Sequence, residues 1–132
     1  MRKVQVQKVL LSTESASIAV ASTAVVYTKA MKLAFGDYFA LSYKAVSAAG
    51  SPDVKIELEQ SYELPTTEGS SDAEWVEPEN MADIETNLTV ETQKHKSLSP
   101  IPLPYGRFKI TGNAGNAADT ILTMFLSIQE EL

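Results

Sequence analysis

Two runs constrain the fold of this chain more than any other feature: DVKIELEQ at 53–60 and TILTMFLSIQ at 120–129. In the first, Val54, Ile56 and Leu58 alternate with Lys55, Glu57 and Glu59, the pattern of a strand with one buried and one wet face. In the second, Leu122, Met124, Leu126 and Ile128 share a face, while Ile121 and Phe125 join Thr123 and Ser127 on a partly covered opposite face. KVQVQ, TAVVYTK, DYFALSYKAVS, DIETNLTVE and RFKIT add β-branched or aromatic runs. No window holds a helical apolar period over three turns, so helix is limited to a short piece near EPENMADI. Turn signals at Gly36-Asp37, Ala49 to Pro52, Gly69 to Asp72 and Gly112 to Asp119 separate the runs. The reading is all-β: an antiparallel β-sandwich or jelly roll of about seven to nine strands, as one domain over 1–132.

Charge is distributed unevenly. From Asp53 to Glu91 there are 12 carboxylates and one cation, Lys55, while the rest of the chain holds 5 carboxylates and 10 cations. A solvated acidic region is the simple reading, and a docking surface for a basic partner is the functional one. The net charge of −6 argues against a nucleic-acid partner, because phosphate binding needs a basic surface. No cysteine is present, which excludes disulfides and thiolate metal sites. Gln5, Gln7, Lys8 and Glu14 interrupt any secretion-signal core near the start. ASIAVASTAVV at 16–26 falls well short of the roughly 20 residues that span a bilayer, so no membrane partner is expected.

The small and polar run TGNAGNAADT, 111–120, invites three readings: phosphate cradle, metal loop or hairpin tip. It lacks the Lys-Ser/Thr of a P-loop, misses the G-x-G-x-x-G spacing, and leads into a strand rather than a helix. As a calcium loop it offers Asn113, Asn116 and Asp119, with a single carboxylate. A hairpin tip, in which Gly and Asn take positive φ, is the preferred reading.

Catalytic constellations are weak. His95 lies between Lys94 and Lys96 and reads as a surface histidine; as the single histidine, it excludes any site built from two imidazoles of one chain. No G-x-S-x-G nucleophile motif occurs. Glu57 and Glu59 sit about 7 Å apart by strand rise, within the range of an inverting glycosidase pair, but alternating glutamates are commonplace on a wet strand face. No enzyme, cofactor or metal is expected. Asn87-Leu88-Thr89 fits a glycosylation sequon and, with no secretion signal, reads as chance.

Two features read as contact surfaces instead. Trp75, the single tryptophan, could stack a sugar, which would make the chain a carbohydrate-binding module. In SPIPLPY, 99–105, Pro100, Pro102 and Pro104 remove the N–H donors from one side of an extended chain. The segment is then either a protected edge strand or an arm that presents Ile101, Leu103 and Tyr105 to another subunit.

The strings DVKIELEQSYELPTTEGSSDAEWVEPEN and LSPIPLPYGRFKITGNAGNAADTILTMFLSIQEEL, covering about Pro52 to Leu132, resemble small virion proteins of tailed bacteriophages. That resemblance implies a β-sandwich structural protein, foremost a capsid decoration or cement protein that binds and stabilises the assembled shell. A tail or head-to-tail connector component is the alternative. It further implies the major capsid protein or another virion protein as partner, self-association with a trimer as one arrangement, synthesis in the host cytoplasm, and no catalytic residues.

Overall fold

The computed structural model describes residues 2–9, 17–33, 38–63, 75–77, 83–98, 103–115 and 118–131. Among them are ten strands: β1 (Arg2–Val9), β2 (Ile18–Val20), β3 (Val25–Tyr27), β4 (Met31–Lys32), β5 (Tyr38–Ser47), β6 (Val54–Ser61), β7 (Glu85–Leu88), β8 (Lys94–Leu98), β9 (Tyr105–Gly112) and β10 (Thr120–Glu131). All pairings are antiparallel. One sheet runs β1-β10-β5-β8, and β2 pairs with the start of β10; the other runs β3-β9-β6-β7, and β4 pairs with the start of β9. The fold is a β-sandwich of two five-stranded sheets. The helix expected near EPENMADI falls mostly on 78–82, outside the described residues.

The two alternating runs form the central strands β6 and β10, and their apolar residues are buried as the alternation requires. Leu122, Met124, Leu126 and Ile128 from β10, with Leu41, Tyr43 and Ala45 from β5 and Ile18 and Val20 from β2, line one side of the core. Val54, Ile56 and Leu58 from β6, Phe108 and Ile110 from β9, and Ile84 and Leu88 line the other. Burying each large apolar side chain contributes roughly 1.5–3 kcal/mol, which makes this layer the main source of stability. On the outer face of β10, Ile121, Thr123, Phe125 and Ser127 are half-buried, so the second face is partly covered.

The edges of the sandwich are closed by polar groups. Lys94 and Lys96 of β8 pair with the core residues Tyr43 and Leu41, and therefore point inward from an edge strand. Lys94 Nζ lies 2.9 Å from Glu85 Oε2 on β7, Tyr43 donates its hydroxyl proton to the same carboxylate, and Lys96 donates to Ile84 O at 2.9 Å. These contacts join the two sheets along one side. Inward lysines also make β8 a poor template for strand addition, a common protection of sheet edges.

The run TGNAGNAADT is not a hairpin tip. β9 belongs to one sheet and β10 to the other, so the run carries the chain across the sandwich. A tight turn can return a strand only to its own sheet, whereas this connection is tied to Asp53 at the opening of β6. Asn113 donates from its backbone N–H to Asp53 O and from Nδ2 to Asp53 Oδ1, both at 2.9 Å, and Nδ2 also reaches Thr86 O at 3.2 Å. Asp53 N–H donates to Thr120 Oγ1 at 3.2 Å. Gly112 is required by contact: a Cβ there would lie 1.9 Å from Ala21 O, where the turn from β2 to β3 closes on it. That turn holds Thr23 at a φ of 62° and donates Thr23 N–H to Gly112 O at 2.8 Å.

Candidate functional site

The polar face of β6 is not the wet surface that its alternation predicts. Glu57 is 6% exposed, and the Glu59 side chain is 12% exposed. The reason is the neighbouring strand. Glu57 stands opposite Lys109 and Glu59 opposite Arg107 in the β6–β9 register, so each carboxylate meets a cation across the pair. Arg107 Nε lies 2.9 Å from Glu59 Oε1, and its guanidinium carbon is 4.1 Å from the Tyr27 ring centroid and 4.5 Å from that of Trp75. A cation over an aromatic ring contributes about 0.5–2 kcal/mol, most where water is excluded. Arg107 itself is 8% exposed, so ion pair and ring contacts together offset its removal from water.

Trp75 reaches this cluster on the segment 75–77, which pairs with β6 at Gln60, past the end of β7. Gln60 N–H donates to Val76 O at 2.8 Å and Val76 N–H donates to Gln60 O at 2.9 Å. The half-buried indole lies against Arg107 rather than standing clear as a sugar platform. Among the described residues its buried Nε1 has no hydrogen-bond partner, and an unmade bond at such a site costs about 1–3 kcal/mol.

Beside the arginine lies an acidic cluster. Carboxylate oxygens of Glu57, Glu77 and Asp83 lie within 4.8 Å of one another, and Lys55 Nζ stands 3.5 Å from Glu57 and 3.6 Å from Asp83. A hydrogen bond between the two glutamates is the main influence on both: it holds Glu77 above the ordinary carboxyl range and Glu57 below it. Lys55 is raised by Glu57 and then by Asp83. Among the described residues this is the one group of carboxylates close enough to share a metal ion, and the Lys55 ammonium is already paired with two of its members.

The outer face of the other sheet differs in kind. Tyr38, Ala40, Ser42, Lys44 and Val46 of β5 run beside Ile121, Thr123, Phe125, Ser127 and Gln129 of β10, with His95 and Ser97 of β8 at the margin. Among the described side chains this face has no carboxylate, in a chain with 17 of them. Tyr38 is 50% exposed and Val46 37%. His95 is exposed as expected, but its Nδ1 lies 2.7 Å from Ser42 Oγ, a contact no motif signals. In a serine triad the imidazole meets serine through Nε2 and an acid through Nδ1. Here the serine occupies the position the acid would take.

The proline-spaced segment is only partly described: Pro100, Ile101 and Pro102 lie outside the described residues. Leu103 and Pro104 form a half-buried bend that leads into β9. Leu103 N–H reaches Gln60 Oε1 at 3.4 Å, and Leu33 N–H donates to Pro104 O at 2.6 Å. Tyr105 pairs with Lys32 on one side and Ser61 on the other. This end of the segment is seated in its own fold. Val76, next to Trp75, and Leu103 are both bonded to Gln60 of β6, although they are far apart in sequence.

No protein-family model matches the chain, and no curated protein matches it significantly. The described residues include no helix long and apolar enough to cross a membrane.

Proposed function

We propose that this chain is a non-enzymatic structural protein of a tailed-phage virion that binds an assembled shell and stabilises it, as a decoration or cement protein. The observation that carries the reading is the outer face of the first sheet, which bears no carboxylate among its described side chains and spreads Tyr38, Val46, Ile121 and Phe125 across it. A chain of net charge −6 meets least repulsion from another acidic protein where its described side chains include no acid. The sequence resemblance from Pro52 onward supports the same role. The major capsid protein is the partner proposed, with copies of this chain arranged by the symmetry of the shell.

The experiment is to strip the protein from particles, heat stripped and intact shells, and add purified protein back. A ligand specific for the assembled shell raises its melting temperature by mass action. Equal melting with and without it ends the cement reading. A count of roughly 3 to 12 copies per particle, as cyclic symmetry sets, transfers the protein to the tail or connector.

A further inference from the structure

Building on the reading of the first sheet's outer face as the shell contact, we propose that this face docks on an acidic, apolar patch of its protein partner. Lys44 and His95 receive the partner's carboxylates, while Tyr38, Val46, Ile121 and Phe125 cover its apolar part. Both cations are exposed. Ser42 stands opposite His95 on one side and Phe125 on the other, so the three side chains form one row across β8, β5 and β10. Lys44 is the next residue of β5 on the same face, a diagonal neighbour of His95 about 7 Å away. Beyond it Val46 stands opposite Ile121. Lys44 therefore lies between apolar side chains.

That position identifies the chemistry of the occupant. A partner surface that was only apolar would strip water from the Lys44 ammonium and give nothing in return, so the surface that covers it must supply an anion. The chain does not supply one among the described residues of this face. On the outer face of the second sheet, by contrast, Arg107 is set against Glu59, Lys55 against Glu57 and Asp83, and Lys109 stands opposite Glu57. His95 is held through Nδ1, 2.7 Å from Ser42 Oγ, so Nε2 is the ring nitrogen it turns to an external group. A chain of net charge −6 repels anions in general, and a face whose described charges are all positive is where an acidic surface can approach.

A random copolymer of glutamate and tyrosine carries this chemistry without any shell. Titrated into the full chain and followed by heteronuclear NMR, it should move the signals of Ser42, Lys44, Val46 and His95 and leave the outer face of the second sheet in place. Exposed charges are screened over about 10 Å in 0.1 M salt, so the affinity should fall severalfold as salt is raised. Lys44→Glu should weaken binding at least tenfold, and Lys44→Arg, which keeps the charge, should bind as the wild type does; far-UV dichroism checks that both are folded. Stripped shells, sedimented with the same proteins, separate the two readings. If the copolymer binds at Lys44 but no protein sediments with shells, the acidic-patch proposal stands and the shell reading falls. If wild type and Lys44→Glu sediment equally with shells, the shell reading stands and the proposal falls. No copolymer binding, signal changes confined to other faces, equal binding of polyphosphate, or a Lys44→Glu protein that binds the copolymer like wild type also overturns it.

Discussion

Arg107 and Glu59 stand opposite each other on β9 and β6 with Nε and Oε1 2.9 Å apart, each side chain about nine-tenths removed from solvent. Breaking such a pair from one side leaves an uncompensated charge in a dry place. Arg107→Ala should therefore lower the unfolding free energy by about 3 kcal/mol and shift Trp75 emission, whereas the double variant Arg107→Met with Glu59→Leu should recover most of the loss. Denaturant titration of the three proteins measures this. A cost below about 1 kcal/mol for Arg107→Ala would place the pair among ordinary surface bridges.

Leu126 lies 1% exposed at the centre of β10. Leu126→Asp should abolish cooperative unfolding, because an unpaired charge there costs several kcal/mol, of the order of the whole stability. Lys44→Asp, on the outer face of β5, is the control and should keep the fold. A folded Leu126→Asp protein would contradict the core assignment.

Gly112→Ala should be more damaging than an ordinary glycine substitution, since its Cβ would meet the Ala21 carbonyl at 1.9 Å and backbone must move. Asn113→Ala leaves the Asp53 carboxylate short of a donor and should cost about 1–3 kcal/mol. Thermal melts of both variants test the crossing between the sheets.

Tyr43 gives a pH dependence with a definite sign. Burial first, and then the neighbouring Glu85, hold its hydroxyl proton well above the ordinary value of 10.0. The unfolded chain loses that proton first, so this tyrosine's contribution to stability should be constant below about pH 10 and fall above it. Tyr43→Phe should remove this tyrosine's share of the alkaline slope. An unchanged slope in that variant would assign the effect to other groups.

If the first sheet's outer face is the shell contact, Tyr38→Glu and Val46→Glu should weaken shell binding at least tenfold. Both positions are exposed, so the melting temperature of the free protein should change little. Sedimentation of shells with each variant is the measurement. Wild-type binding by both would move the contact elsewhere.

The alternation in DVKIELEQ and TILTMFLSIQ specified β6, β10 and the residues they bury, because a strand's period of two is a local property that survives any arrangement of neighbours. Runs rich in β-branched and aromatic residues marked β1, β3, β5, β7 and β9 in the same way. Three strands left no such trace. β2 and β4 are short, and β8 reads KHKSL, whose lysines turn inward only because Glu85 and the Ile84 carbonyl await them across the sandwich. The wet face expected for Glu57 and Glu59 is dry because β9 places Lys109 and Arg107 opposite them; the Arg107 to Glu59 separation is 48 residues. The chain's acidic middle and basic remainder thus meet partly within one molecule. TGNAGNAADT announced a change of direction, but whether it turned within a sheet or crossed between two depended on Asp53, 60 residues before Asn113. Local periodicity determined which side chains could be buried together. Partners brought from distant strands decided which charges would be buried with them, since a charge leaves water only where another group compensates it.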